Sequence, residues 1–323
     1  DVKNEIIKLK NNGINGLILD LRNNGGGALK TVVDMTGLFI ERGPIVQVKS
    51  TGNRKQILYD NDPKVIWDGP LVILMNKMSA SASEILAGAL QDYNRAVIIG
   101  NEKSFGKGTV QNVVDLNRFI SNSSYDLGAL KITTDKFYRI NGESVQLEGV
   151  KSDIIIPDSY KYIFNGERDE KNPLDWDKIS PATFEKWNKR DMVTKISINT
   201  QSRIDNDNYY SLINDRAKWI KDQQSNKSIS LNFDIYNKYL IQQREKNKKF
   251  ESISNYENNL IFKLLKTEKQ YITTNKELLS SRNRWHRNLT KDLYIEEGVR
   301  ALEMLSELIE NNLILVDNDK NLN

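Results

Sequence analysis

The first half of the chain alternates short apolar runs with segments whose apolar residues recur at helical spacing. Continuous apolar runs are typical of strands buried on both faces of a sheet, and three occur, at Gly16–Leu21, Pro70–Met75 and Ala96–Ile99. Helical spacing predicts three helices beside them, over Val2–Lys10, Leu29–Ile40 and Ala82–Tyr93. This alternation predicts an α/β layer structure with a mixed sheet.

Further strands are predicted in the same region. Pro44–Val48 and Arg54–Tyr59 flank a Thr-Gly-Asn turn, which indicates a hairpin. The remaining predicted strands are Thr109–Leu116, Ala129–Thr134, Lys136–Ile140 and Val150–Pro157.

The character of the chain changes near residue 165. Of the 18 glycines, 16 lie in residues 1–160. The polar segment Glu167–Asp177 indicates a loop, and the residues after it are rich in Lys, Asn, Glu, Ser and Leu. Helical spacing there predicts helices over Asn208–Gln223, Tyr236–Phe250 and Lys291–Asn312. We therefore predict two domains, an α/β unit over residues 1–165 and a mostly helical unit over residues 166–323.

Composition narrows the classes of function. The 47 basic and 43 acidic residues give a formal charge of +4, which is too balanced to indicate a nucleic acid partner. The chain has no cysteine, which excludes disulfides and thiolate zinc sites. Its patterns indicate no cofactor and no metal. An apolar run of about 18 residues is absent, so no membrane span is predicted.

The serine-rich segment Ser79–Glu84 (SASASE) lies between a predicted strand and a predicted helix. A serine at such a junction, Ser81 for example, lies beside the free backbone N–H groups of a helix N-terminus. Those donors can stabilise the oxyanion of an acyl-transfer reaction. The alternative is helix capping by Ser79, Ser81 or Ser83, with Glu84 supporting the first turn.

A lysine between two glycines follows 26 residues after Ser81, in the segment Phe105–Gln111 (FGKGTVQ). The single histidine, His286, lies far away in the sequence, so a Ser-Lys dyad is favoured over a Ser-His-Asp triad. In this hypothesis Lys107 is a neutral amine in an apolar pocket, and Gln111 holds it by a hydrogen bond without adding charge. The alternative is a glycine turn with a solvated lysine.

Two further features have open interpretations. The glycine triplet of Asn23–Gly27 can form an anion-binding nest or a flexible turn, and Asp20 and Arg22 beside it can form an ion pair. Asp92 ends the predicted helix after Ser81, where the helix dipole disfavours an anion. We expect it to have a structural role, pairing with Arg95 or the lysine loop, although a third catalytic group is the alternative.

Taken together, these segments resemble the tail-specific, or C-terminal processing, proteases, which are serine endopeptidases with a Ser-Lys dyad. Residues 1–160 carry most of the resemblance, and the helical part resembles the long, periplasmic branch of the family. The matching segments, in order, are Gly16–Gly27, Ser79–Tyr93, Arg95–Gly100, Phe105–Gln111, Lys136–Asn141, Gly149–Pro157 and Lys291–Gly298.

The resemblance implies a crotonase-like α/β protease core with residue roles that can be placed on this sequence. Ser81 matches the nucleophile, Lys107 the general base and Gln111 the residue that orients the lysine. The oxyanion hole is implied at the backbone N–H of Ala82 and of Gly27 or Gly26. Asp92 matches an aspartate implicated in some family members.

The resemblance also implies protein or peptide substrates with apolar C-terminal tails, a PDZ domain that helps to bind them, an adaptor protein as a further partner, and a periplasmic, membrane-associated location. No PDZ domain precedes Asp1, so we expect a C-terminal fragment of the enzyme. The loop Asn101–Ser104 is one residue longer than the family pattern. Two alternatives are a non-catalytic binding module derived from such a protease, and an acyltransferase or amidase with the same dyad.

Overall fold

The computed structural model describes residues 1–119, 125–163, 166–187 and 190–320. The predicted α/β core with a helical C-terminal region is confirmed, and the strands of the core divide between one parallel and one antiparallel sheet. The described part of the core has the helices α1 Val2–Asn11, α2 Leu29–Thr36 and α3 Ala82–Asp92.

The parallel sheet has the strand order β1-β4-β5-β8, where β1 is Leu17–Asp20, β4 is Leu71–Met75, β5 is Val97–Gly100 and β8 is Ile154–Ile155. Successive side chains of a strand point to opposite faces. In β4, Leu71 and Ile73 therefore pack with α2 and α3, whereas Val72 and Leu74 pack with helices of the C-terminal region. Both faces are buried, which explains the continuous apolar runs of these strands.

The antiparallel sheet has the order β3-β2-β7-β6. The predicted hairpin is confirmed as β2 Gly43–Ser50 and β3 Lys55–Asp60, and β6 is Thr109–Asp115. The prediction of two strands over Ala129–Thr134 and Lys136–Ile140 is wrong, because β7 runs without a break from Ala129 to Tyr138. Its two halves pair with different neighbours, since Ala129–Lys136 pairs with β6 and Asp135–Tyr138 with β2.

The strand predicted over Val150–Pro157 is much shorter in the structure, where only Ile154 and Ile155 pair with β5. Before them, the Val150 N–H donates to the Ser104 hydroxyl and Asp153 accepts from the Ile98 N–H. At Asp153 the side chain and the backbone N–H both bond to the Ile98 backbone, and Val150 bonds to Ser104 rather than to β5, so the apolar pattern overestimates the strand.

The C-terminal region is helical. Helices predicted over Asn208–Gln223, Tyr236–Phe250 and Lys291–Asn312 are present as α5, α6 and α10. The bounds are α4 Arg190–Asp205, α5 Asn208–Ser225, α6 Phe233–Lys248, α7 Glu251–Ser254, α8 Lys266–Thr274, α9 Lys276–Leu289 and α10 Leu293–Lys320. None of the helices among the described residues combines the length and apolar character needed to cross a membrane.

Helix α10 covers the second face of the parallel sheet. Its buried Ile295, Ala301 and Leu305 belong to one apolar cluster with Val72 and Leu74 of β4. A Cβ at Gly298 would lie 3.0 Å from the Ile18 Cδ1 and 3.6 Å from a Leu74 methyl, so this glycine allows the helix to lie close to the strands. The boundary at residue 165 remains a prediction, but the two regions share a core.

A buried carboxylate joins three helices on this face. Glu297 of α10 is 1% exposed, accepts a hydrogen bond of 2.7 Å from the Tyr210 hydroxyl of α5, and pairs with Arg203 of α4. Arg300 Nη1 lies 3.5 Å from the same carboxylate. Its charge is therefore compensated from two directions, as a buried ion requires.

We expect Glu297→Ala to lower the free energy of unfolding by about 2 kcal/mol, because it leaves the buried Tyr210 hydroxyl and the Arg203 guanidinium without their shared acceptor. Urea denaturation followed by circular dichroism measures the change. Glu303→Ala, on the exposed side of the same helix, is the matched control and should change the value by less than about 0.5 kcal/mol. Equal effects of the two substitutions would contradict the role of Glu297.

Candidate active site

Ser81 lies on a sharp turn between β4 and α3, as the N-cap residue of α3. Its φ of +58° and ψ of −114° place a residue with a side chain in a region that favours glycine. Such a conformation costs on the order of 1–3 kcal/mol and persists only where neighbouring contacts hold it. Strain of this kind concentrates at functional sites, so Ser81 is a candidate for more than capping.

The other two serines of the segment have structural partners. Ser79 is fully buried, and its hydroxyl donates to the Leu21 carbonyl at 2.8 Å. Ser83 is 5% exposed and donates to the Asn24 carbonyl at 3.0 Å. Both serines attach the turn to the glycine-rich segment after β1, and Ser81 remains half-exposed at a cavity.

The glycine triplet packs directly against the serine turn. Gly26 has a φ of +99°, and a Cβ there would lie 2.7 Å from the Ala80 carbonyl oxygen and 2.8 Å from the Ala82 nitrogen. The Gly26 N–H donates to Asn24 Oδ1 at 2.9 Å. Among the described residues, no protein acceptor binds the N–H of Ala82 or of Gly27. Of the two glycines expected for the oxyanion hole, Gly27 is thus the one with a free donor.

The lysine loop lies across the cavity from this turn. Gly106 has a φ of +92°, and a Cβ at Gly108 would lie 2.7 Å from the Gln146 nitrogen, so both glycines are required by the path of the loop. The Phe105 N–H donates to the Ser79 carbonyl at 3.0 Å, which joins the loop to the serine turn. The extra residue in the preceding loop therefore leaves Lys107 in the same cavity as Ser81.

Gln111 contacts the lysine as the sequence predicts. The Lys107 ammonium nitrogen lies 3.4 Å from Gln111 Oε1, a long hydrogen bond. Lys107 is half-buried, and Gln111 is exposed on the edge strand β6. The closed apolar pocket expected around the amine is therefore not formed by the described residues alone.

A cavity of about 380 Å³ brings the candidate residues together. Ser81, Ala82, Gly26 and Gly27 line it from one side, and Lys107 and Gln111 line it from the other. Among the described residues that line this cavity, neither Asp92 nor His286 appears. His286 lies in α9 against Trp285 and Phe262, in the helical region, which leaves no histidine for a triad here.

Asp92 lies at the far end of α3 in an ion pair. The expected pairing with Arg95 or the lysine loop is wrong, because Arg139 donates to both Asp92 oxygens, at 2.6 and 3.0 Å. Burial raises the pKa of Asp92, and the Arg139 guanidinium opposes that shift. Arg95 instead donates to the carbonyls of Phe39 and Trp67. These contacts favour the structural role for Asp92.

The ion pair expected beside the glycine turn is present and extends to the helical region. Arg22 lies 2.7 Å from an Asp20 oxygen and also 2.7 Å from an oxygen of Asp292, which precedes α10. The guanidinium lies over the Tyr294 ring, 5.2 Å from its centroid. The start of α10 is thereby fixed next to the turn that carries Gly26 and Gly27.

Glu84 joins the serine turn to the lysine loop in addition to capping α3. It is fully buried, and its Oε2 accepts the N–H groups of Ser81 at 2.8 Å and Lys107 at 2.9 Å. Its Oε1 accepts the Gly106 N–H at 2.7 Å and the Ser104 hydroxyl at 2.5 Å. The Ser-x-x-Glu spacing indicates only the capping contact, because the contacts to the lysine loop span more than 20 residues.

Two family models match the chain in succession. Residues 1–156 match Peptidase family S41, and residues 160–306 match the C-terminal domain of tail specific protease. The order of the two matches follows the order of the α/β core and the helical region.

Known relatives carry corresponding names. The tail-specific protease of Haemophilus influenzae is 41% identical over 237 residues, which cover 72% of this chain and 34% of the relative. The carboxy-terminal-processing protease of Bartonella bacilliformis is 38% identical over 159 residues, covering 48% and 35%. The solved structure of a photosystem II D1 C-terminal processing protease aligns with a TM-score of 0.42 at 34% identity, covering 48% of this chain and 38% of that one.

The chain therefore spans about a third of the length of these curated relatives. In its first part, the serine turn, the glycine turn and the lysine loop line one cavity, and its second part matches the C-terminal domain of tail specific protease. From these matches, the chain belongs to the C-terminal processing, or tail-specific, serine proteases of peptidase family S41.

Proposed function

We propose that this chain carries the catalytic residues of a serine endopeptidase with a Ser81–Lys107 dyad. The observation that supports it most is the shared cavity, which is lined by Ser81, by Lys107 and by two backbone N–H groups that bind no acceptor within the described part of the chain. A nucleophile, a base and oxyanion donors around one space are the parts that acyl transfer needs.

The proposed reaction follows from these positions. The Lys107 amine takes the proton of the Ser81 hydroxyl as its oxygen attacks a peptide carbonyl. The N–H groups of Ala82 and Gly27 stabilise the oxyanion that forms. The C–N bond then breaks, and Lys107 returns the proton to the leaving amine. Water, deprotonated by the same amine, hydrolyses the acyl-enzyme and restores the Ser81 hydroxyl.

The substrate class is proposed from the cavity walls and from the names of the relatives. Leu29, Ile85, Val110 and Phe137 line the cavity beside Ser81 and favour an apolar side chain next to the cleaved bond. We propose protein substrates with apolar C-terminal tails, in the periplasm, with an adaptor protein as a further partner. The relatives named for tail-specific and carboxy-terminal-processing activity support this assignment.

Glu84 sets the relative position of the serine turn and the lysine loop. Its single carboxylate accepts one N–H from the nucleophile turn and one from the lysine residue itself, so it fixes the two catalytic segments relative to each other. Burial raises the pKa of this carboxyl from 4.5 to about 7, although four hydrogen-bond donors oppose the shift.

Ser81→Ala and Lys107→Ala should each lower kcat/KM on an unfolded protein with an apolar tail by at least about 10³-fold, since each removes a reacting group. Gel-based cleavage by the intact protein measures this loss. Lys103→Ala, in the same loop but outside the cavity, is the matched control and should retain most of the activity.

Full activity in Lys107→Ala would refute the dyad. Loss of activity in Ser83→Ala but not in Ser81→Ala would refute the choice of serine. A folded wild-type protein that binds extended peptides without cutting them would favour the non-catalytic binding module instead.

Glu84 also predicts a pH dependence of stability. A raised carboxyl pKa in the folded state means that stability is highest below pH 4.5 and is lost as pH rises toward about 7. Over this range the free energy of unfolding of the wild type should fall by up to about 3 kcal/mol relative to that of Glu84→Gln, whose side chain cannot titrate. Denaturation curves at several pH values measure the difference, and parallel pH profiles for the two proteins would contradict the shift.

A further inference from the structure

Lys131 projects from β7 on the face of the β6–β7 hairpin that carries Gln111. In the register of this hairpin, Gln111 lies opposite Thr133 and Val113 lies opposite Lys131. Cross-strand partners and residues two apart share one face of a sheet, so Lys131 is a diagonal neighbour of Gln111. It lines the same cavity as Ser81 and Lys107.

The charge of this cavity is one-sided. Among the described residues, its lining includes two lysines, Lys107 and Lys131, and no carboxylate. Lys107 hydrogen-bonds to Gln111, whereas the Lys131 ammonium forms no ion pair and no hydrogen bond within the described part of the chain. Its side chain is exposed, so the charge is available to a ligand in the cavity.

The opposite side of the lysine loop has a different charge. A second cavity of about 430 Å³ shares Lys107, Thr109 and Gln111 with the first and continues to Glu167, Glu170 and Lys171. Apart from Lys107, which lines both cavities, the second cavity has two carboxylates and one ammonium and is net negative, whereas the first has the Lys131 ammonium and no carboxylate. A peptide that lies across Ser81 and Lys107 would therefore pass from a positive side to a negative one.

We propose that Lys131 is a specificity-determining residue that binds a carboxylate of the substrate close to the cleaved bond. This inference rests on the proposed function. Lys131 lines the same cavity as Ser81, so the carboxylate lies close to the cleaved bond. It belongs either to an acidic side chain or to the C-terminus itself. The net-negative second cavity disfavours the reversed placement of the same peptide.

The expected effect is modest because Lys131 is exposed to solvent. Exposed ion pairs change equilibria by about two- to fivefold. We therefore expect about a fivefold preference in kcat/KM for a peptide with the carboxylate over its neutral analogue, expressed mainly in KM. Added salt should weaken the preference, since it screens exposed charges.

The test uses quenched fluorescent peptides with one apolar cleavage site and the intact protein that contains this chain. One pair of peptides differs by Glu against Gln at positions near the site, with an amidated C-terminus, and the second pair differs by a free against an amidated C-terminus. The variants are Lys131→Met and Lys131→Glu. Lys171→Met, which removes the same charge from the second cavity, is the matched control.

The ratio of kcat/KM for the acidic peptide to kcat/KM for the neutral peptide should fall from about five to about one in Lys131→Met. In Lys131→Glu it should fall below one. Lys171→Met should not lower the ratio. The peptide pair that responds identifies the carboxylate as a side chain or as the C-terminus. The inference would be overturned if Lys131→Met kept the wild-type ratio for both peptide pairs. A wild-type protein without any preference for the carboxylate would also overturn it.

Binding separates this inference from the proposed protease activity. Fluorescence anisotropy with Ser81→Ala measures the affinity for the same uncut peptides, with and without Lys131→Met. If this substitution removes a carboxylate preference in binding while the wild type cuts no peptide, the role of Lys131 stands and the proposed protease activity fails. Equal affinities for the acidic and neutral peptides in Ser81→Ala would count against Lys131 alone.

Discussion

The candidate site depends on one buried carboxylate. Glu84 lies in the first turn of α3 and accepts hydrogen bonds from the backbone of both Ser81 and Lys107. A loop and a helix cap that are 26 residues apart in sequence thereby acquire a defined separation. Since a misplacement of about 1 Å can cost about 10²-fold in rate, a fixed separation matters in addition to the presence of the two side chains.

The second constraint is the burial of the parallel sheet on both faces. The face formed by Leu71 and Ile73 is covered by α2 and α3, which position the serine turn. The other face is covered by α10 and its neighbouring helices. The ion pairs of Arg22 with Asp20 and Asp292 join the start of α10 to the glycine turn. The helical region thus supports the backbone of the candidate oxyanion hole.

The sequence predicts local features well and long-range ones poorly. The apolar runs predict β1, β4 and β5 because burial on both faces leaves a signal within five residues. The second role of Glu84 and the Asp92–Arg139 pair are missed, since their contacts span 20 to 50 residues. Helix α4 is missed because its β-branched and polar residues have low helix propensity, and its packing on β8 overrides that preference. Motif spacing and the family resemblance predict Ser81, Lys107 and Gln111 as site residues, and all three line one cavity.

Gly298 has a consequence for how this protein can be divided. Because Gly298 has no side chain, α10 packs closely on Ile18 and Leu74. The helical region therefore covers one face of the parallel sheet and is part of the core. A protein cut near residue 190 would expose the apolar row of Val72, Val97 and Ile99 to water. Such a surface promotes self-association, so we expect the two regions to fold as a pair.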